Sequence, residues 1–283
     1  MKLFKKNFAF NVIAGIGIFS CTSMEATLNK TSSQSPAPYV PSKKDMQLNA
    51  NHDHGFWAIQ QFNVDLPRNS SFLFLTEQRW GSDYKLFWYQ KYELIFTYDL
   101  SKRISSYFGL FPKTIFKEFS LGSGCAQISQ IRKNTHDEFK WIGLTRPLIQ
   151  AELKLEWKGW TFGQRLRGEY ISYNASHNKS HGTCRYRLTL NFPLKWTELD
   201  ISPFISNEFF FRANTYSKSN PHGLVGIFHE DRLRIGLKST FLVDKLTVEA
   251  WWQWRPLKQK PGTHPLWFNT YQIGATILLS WAY

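Results

Sequence analysis

From about residue 56 onward, apolar and polar residues alternate with a period of two over much of the chain. Within residues 148–157, Ile149, Ala151, Leu153, Leu155 and Trp157 fall on one face of an extended segment, and Gln150, Glu152, Lys154 and Glu156 fall on the other. A helix would scatter both sets, whereas a strand sorts them. The same sorting sets Tyr186, Leu188, Leu190, Phe192 and Leu194 against Arg185, Arg187, Thr189 and Asn191. It recurs where Leu233, Ile235 and Leu237 oppose Arg232, Arg234 and Lys238, and where Val248, Ala250, Trp252 and Trp254 oppose Glu249, Gln253 and Arg255. The last run opposes Tyr271, Ile273, Ala275, Ile277, Leu279 and Trp281 to Gln272, Gly274, Thr276 and Ser280. Each run approaches the roughly 9 to 11 residues that a tilted transmembrane strand requires.

Eleven such segments can be marked, at 56–66, 70–80, 84–98, 102–112, 146–158, 160–173, 184–196, 199–212, 227–242, 245–256 and 268–282. Short turns join some of them, at Leu66–Ser70, Asp99–Lys102, Lys158–Gly159, Trp196–Glu198 and Val243–Asp244. Longer connections fall at Lys113–Arg146, Asn174–Thr183, Ala213–Gly226 and Leu257–Trp267. Turns on one rim and loops on the other predict an all-β fold, an antiparallel transmembrane β-barrel of about 10–12 strands, with turns periplasmic and loops outside. With eleven strands the first would start on the loop side. A periplasmic N-terminus requires an even number, so either one strand is hidden in the leader or in the 113–146 region, or one of the eleven is two; ten or twelve strands are expected, and twelve is preferred.

The chain start supports export. Lys2, Lys5 and Lys6 precede the apolar run Phe8–Phe19, and small and polar residues follow, the three regions of a secretory signal peptide. The expected organisation is a cleaved signal at 1–26, a flexible Ser-, Asn- and Pro-containing leader at 27–54, and a barrel domain at 55–283 in the bacterial outer membrane. Cys21 offers a rival reading as a lipidation site, although Phe19 fits poorly where a small residue is usual.

Composition narrows the alternatives. Aromatic residues make up 17% of the chain, yet hydrophobic residues reach only 42% and mean hydropathy is −0.37. Such aromatic content excludes disorder, and the absence of apolar runs of about 20 residues beyond the N-terminus excludes a polytopic helical protein. The formal charge is +14; removing residues 1–26 takes three Lys and one Glu and leaves +12. Basic charge with aromatics is also the signature of nucleic-acid binding. The export signal argues against that reading. So do Trp57, Trp80, Trp88, Trp157, Trp160, Trp196, Trp252, Trp254, Trp267 and Trp281, most of which lie near strand ends, where membrane-interface belts place them. No nucleic-acid partner is expected. A soluble periplasmic β-protein is the stronger rival, because alternation alone does not separate a core from lipid.

Several tracts carry a family resemblance. They are Gln164-Arg165-Leu166-Arg167-Gly168-Glu169-Tyr170, Cys184-Arg185-Tyr186-Arg187-Leu188, Ser206-Asn207-Glu208-Phe209-Phe210 and Asp231-Arg232-Leu233-Arg234-Ile235-Gly236-Leu237, with Arg146-Pro147 and the early Trp57. In this order they resemble the bacterial family called domain of unknown function 2490, over about residues 56 to 283. The resemblance implies an outer-membrane barrel and no catalytic residues. The ending Trp281-Ala282-Tyr283 keeps the aromatic close of the last strand, so contact with the barrel-assembly machinery through that strand is expected.

In a barrel the polar faces point inward. They collect the basic residues Arg79, Lys91, Lys154, Arg165, Arg167, Arg185, Arg187, Arg212, Arg232, Arg234, Lys238 and Arg255. Against these stand Glu77, Glu93, Glu152, Glu156, Glu169, Glu208, Glu230 and Glu249. A barrel of ten to twelve strands is narrow enough for such side chains to fill. The expected function is therefore a structural or surface-exposed envelope component with a charged, filled lumen, touching outer-membrane lipid and lipopolysaccharide. The alternative is a narrow porin-like passage whose surplus positive charge favours small anionic solutes. A third class, an outer-membrane lipid hydrolase, would need a Ser and His facing the same way, but His177 and Ser180 are three apart and fall on opposite faces of an extended segment. Catalytic residues, cofactors and metals are accordingly not expected; His52, Asp53 and His54 form a His-x-His cluster that nothing nearby completes. After processing, Cys125 and Cys184 form an even pair, which fits either a disulfide or two unrelated residues near loops. The 113–146 loop, with Lys117, Cys125, Arg132 and Lys133, is the expected place for a partner contact.

Overall fold

The computed structural model describes residues 54–81, 86–101, 115–133, 139–173, 180–194, 200–213, 227–241, 245–258 and 267–282. They form eleven strands: β1 (His54–Leu66), β2 (Ser70–Gly81), β3 (Leu86–Asp99), β4 (Phe116–Lys133), β5 (Phe139–Trp157), β6 (Trp160–Tyr173), β7 (His181–Asn191), β8 (Ser202–Ala213), β9 (Ile227–Phe241), β10 (Leu246–Lys258) and β11 (Trp267–Ala282). Each strand pairs with its sequence neighbours, and β1 pairs with β11, so the sheet closes into a barrel. Ten of these pairings are antiparallel.

The seam corrects the expectation of an even strand number. Eleven strands that reverse direction at every connection leave the first and last pointing the same way, so β1 and β11 must pair in parallel. They do so from His54↔Tyr271 to Asp65↔Ala282. Parallel pairing is slightly weaker per residue. Closure still removes two exposed edges, each a row of unpaired backbone groups.

Two of the turns show why they are tight. Arg68 and Asn69, between β1 and β2, have φ of 67° and 59°, and Lys158 and Gly159, between β5 and β6, have φ of 49° and 83°. Positive φ at both central residues follows the right-handed twist of the flanking strands. These turns define one end of the barrel, the turn rim. The other end is the loop rim, where β1 begins and β8 ends.

The segments marked from the sequence omit one strand. The expected 113–146 loop contains β4 and the start of β5, and the expected strand at 102–112 lies outside the described residues. The contrast between rims is thereby reduced: sixteen residues of sequence separate the end of β3 from the start of β4 at the turn rim, and only five separate β4 from β5 at the loop rim. β4 escaped the pattern because its inward positions Ser120, Gly122, Gly124 and Ala126 are small, while Ser123, Gln127 and Ser129 put polar groups on its outward side. Its membership in the sheet comes from pairing with β3 and β5 along its length.

The barrel's core is its interior. One apolar cluster joins Trp57, Ile59, Leu75, Phe204 and Trp251, and a second joins Tyr89, Ile128, Leu144 and Ile171 toward the loop rim. Two glycines make room for rings that lie flat against the wall. A Cβ on Gly274 would stand 2.3 Å from Trp251 Cζ2, and one on Gly236 would stand 2.7 Å from Phe204 Cε1. Trp57 is thus an interior residue, 1% exposed, rather than part of an interface belt.

Candidate functional site

Alternation turns the charged residues of β2, β3 and β5–β10 into the lumen, where they meet as a connected chain of opposite charges and a smaller cluster beside it. Glu77 pairs with Arg79 at 2.5 Å and with Lys91 at 2.9 Å, and Lys91 reaches Glu93 at 3.3 Å. Arg167 crosses β5 and β4 to reach Glu93 at 2.9 Å. The small inward side chains of β4 leave that path open, which gives the weak pattern of this strand a structural reason. Glu169 then joins Arg167 at 3.6 Å, Arg185 at 2.7 Å and Arg146 at 3.3 Å. Glu208 joins Arg185 at 2.9 Å and Arg165 at 2.6 Å. A separate group places Arg232 at 2.5 Å and Arg255 at 2.6 Å from Glu230. Apart from Arg146, Arg165 and Arg255, these side chains are buried.

Aromatic faces and amides complete the packing. The Arg79 guanidinium lies 3.7 Å from the Trp57 ring centroid and 3.9 Å from that of Tyr89, and Arg234 lies 4.4 Å from Trp251. Arg167 donates to Gln150 Oε1 through Nε and Nη2, at 3.0 and 2.6 Å. Arg234 Nε donates to Gln253 Oε1 at 2.6 Å, and Gln253 Nε2 donates to Gln272 Oε1 at 2.7 Å. Buried guanidinium groups require such partners, because an unpaired charge in a low-dielectric interior is costly.

Most of the remaining charged positions lie toward the turn rim and are wetter. Lys154 pairs with Glu118 at 2.6 Å with the two side chains 43% and 32% exposed, and Lys117 pairs with the half-exposed Glu156. Gln150 Nε2 donates to Glu152 at 3.1 Å, and Lys238 stands beside Glu249 in register across β9 and β10. Arg212 is exposed near the loop rim, its Nη2 3.4 Å from His181 Nδ1. The interior is therefore packed through its middle and toward the loop rim, and open to water toward the turn rim.

The two cysteines do not bridge. Cys184 is a free, exposed thiol on β7. β5 and β6 separate it from Cys125 on β4, and three strand spacings amount to about 14 Å, well beyond the roughly 4.4–6.8 Å between Cα atoms that a disulfide spans. Cys21, His52, Asp53 and His177 lie outside the described residues, and Ser180 stands at the approach to β7. Among the described residues, no three His, Cys, Asp or Glu side chains converge to hold a metal ion.

Several interior residues were absent from the sequence reading of the lumen. Arg146, Gln150, Gln253 and Gln272 were visible as inward positions of alternating runs, but a search for opposite charges passes over amides and stops at strand ends. Trp57 and Trp251 were hidden by the rule that aromatic residues face out.

The outer wall is the inverse of the interior. Ile149, Leu166, Ile235, Ile273, Ile277, Leu279 and Trp281 point outward and are exposed. Aromatic residues gather at both ends. Lys158 and Lys245 lie over Trp157 and Trp281 at the turn rim, at 5.1 and 5.3 Å from the ring centroids. Phe56, Trp80, Phe87 and Trp141 form a ladder at the loop rim, with centroids 5.5–5.7 Å apart. The outward side of β1–β5 also carries polar groups paired sideways: Thr76 Oγ1 donates to Gln60 at 3.3 Å and Thr145 Oγ1 to Gln127 at 2.8 Å.

Residues 54–264 match the model of a family described as Protein of unknown function (DUF2490). No curated protein matches the chain.

Proposed function

The chain belongs to the DUF2490 family of proteins of unknown function, and from that premise we propose that it is an outer-membrane β-barrel acting as a structural or surface-exposed envelope component, with a filled lumen that does not conduct. One observation carries the reading: large apolar side chains are exposed along the outer wall, while ten Glu, Arg and Lys side chains are buried inside beside the apolar clusters. A water-soluble barrel has the opposite arrangement, because apolar area is stabilised away from water. The dimensions agree. On β11, Tyr271 and Trp281 bracket the outward run Ile273, Ala275, Ile277 and Leu279. Their ten-residue separation, at about 3.3 Å per residue and a tilt of about 40°, spans about 25 Å along the axis, the height of a membrane barrel's apolar band.

Against a passage stand the ion pairs and the rings of Trp57, Trp251 and Phe204, which occupy the middle of the lumen. Expression in a Gram-negative host is expected to place the protein in the outer-membrane fraction, resistant to extraction by urea, with a gel mobility that shifts on boiling. Recovery from the soluble periplasm would overturn the membrane reading. In planar bilayers the purified protein is expected to stay silent across salt concentrations; stepwise currents would overturn the filled lumen while leaving the membrane placement standing.

A further inference from the structure

We propose that the water-facing half of the lumen holds a binding site for a phosphate-class oxyanion, formed by Arg187, Arg234, Thr189 and Ser206. The inference starts from an imbalance of charge. Arg165 and Arg187 stand directly opposite each other on β6 and β7, an unfavourable like-charge pair. Arg165 reaches past β7 to Glu208 on β8, at 2.6 Å, and Glu208 is further engaged by Arg185. Arg187 is the register partner of Glu208, yet it has no ion pair or hydrogen bond among the described residues. Arg234, within electrostatic reach of Glu208 and Glu77 as well as of Arg187, makes no direct ion pair among the described residues and gives only its Nε, to the neutral Gln253. Two guanidinium groups thus keep most of their donors free.

Between them lie two hydroxyls. Thr189 faces Ser206 across β7 and β8, with the Oγ atoms 3.4 Å apart, and Ser206 faces Arg234 across β8 and β9. β7 and β9 stand about 9–10 Å apart, a gap that two long arginine arms close around a single small anion. Guanidinium forks match phosphate oxygens two at a time, and hydroxyls supply further donors; a tetrahedral oxyanion uses more of them than a planar carboxylate does. The position is toward the turn rim, where the half-buried pair of Lys154 and Glu118 borders water. The site rests on reading the lumen as a cup closed toward the loop rim, and binding is measured in detergent, so its failure is separate from that of the bilayer and fractionation experiments.

The test is titration of inorganic phosphate into the purified full-length protein in detergent, followed by phosphorus NMR line width. Saturable broadening is expected, weakened at least tenfold by Arg187→Gln and by Arg234→Gln and unchanged by Lys117→Gln, which removes a positive charge from an exposed pair elsewhere on the same rim. Sulfate is expected to compete and acetate not to. Ser206→Ala keeps every charge and is expected to weaken binding as well, which guards against misfolding of the arginine variants; retained gel heat-modifiability checks each fold. Absence of saturable broadening, undiminished binding in Arg187→Gln, equal loss in Lys117→Gln, or displacement by acetate as effective as by sulfate would each overturn the proposal.

Discussion

Replacing Glu169 with alanine is expected to cost about 3–5 kcal/mol of barrel stability, the magnitude for removing one partner from a buried charge pair. Glu169 is 6% exposed and meets Arg185 at 2.7 Å, Arg146 at 3.3 Å and Arg167 at 3.6 Å. Without it, three guanidinium groups share an interior with too few carboxylates, and the penalty is the unsolvated charge left behind rather than the loss of a favourable bond. Glu156→Ala is the comparison, since its exposed pair with Lys117 is worth about 0–1 kcal/mol. Guanidinium titration of the heat-modifiable folded form measures both. Equal effects of the two substitutions would show that the ion chain does not hold the lumen.

That chain is partly legible in the sequence. Period-two alternation identifies Arg165, Arg167, Arg185 and Glu208 as members of one face, and closure of the sheet turns that face inward. What alternation does not contain is which charges meet. Arg167 finds Glu93 although β4 and β5 lie between their strands, a contact set by barrel diameter and by the absence of bulk along β4. The same absence of bulk removed β4 from view, because the pattern search looks for large apolar residues in alternation. A strand whose contribution is to leave space has no such signature.

The strand number is legible only in part: ten of the eleven strands coincide with segments that alternation marks, β4 falls in the stretch read as the 113–146 loop, and an even total follows only from requiring the chain to start at the periplasm. Backbone pairing imposes no such parity. A seam from His54↔Tyr271 to Asp65↔Ala282 satisfies the edges of β1 and β11 in parallel, and the strand number follows from the segments present. Trp57 shows the converse error. Aromatic residues near strand ends were assigned to interface belts, but position 57 alternates with the outward Phe56 and Ala58 and pairs with the inward Arg79. Alternation was the better guide than residue type.

The strongest test of the packed lumen couples Gly274 to Trp251. A Cβ at position 274 would come within 2.3–2.4 Å of two carbons of the Trp251 ring, far inside contact distance. The ring has little freedom to retreat: its Nε1 donates to Thr276 Oγ1 at 3.2 Å, its edge meets Trp57 with centroids 5.8 Å apart, and Arg234 lies 4.4 Å from its centroid. Gly274→Val is therefore expected to destabilise the barrel by at least about 1–3 kcal/mol through overpacking. Trp251→Ala alone is expected to cost about 3–5 kcal/mol by leaving a hole in the lumen. In the double variant the valine side chain enters the space the indole vacated, so the combined cost should fall short of the sum by about 0.5–3 kcal/mol, the range of coupling for residues in contact. Unfolding midpoints of the four proteins measure that difference. Strict additivity would mean that the ring does not rest on Gly274, and that the lumen is looser than its filled appearance implies.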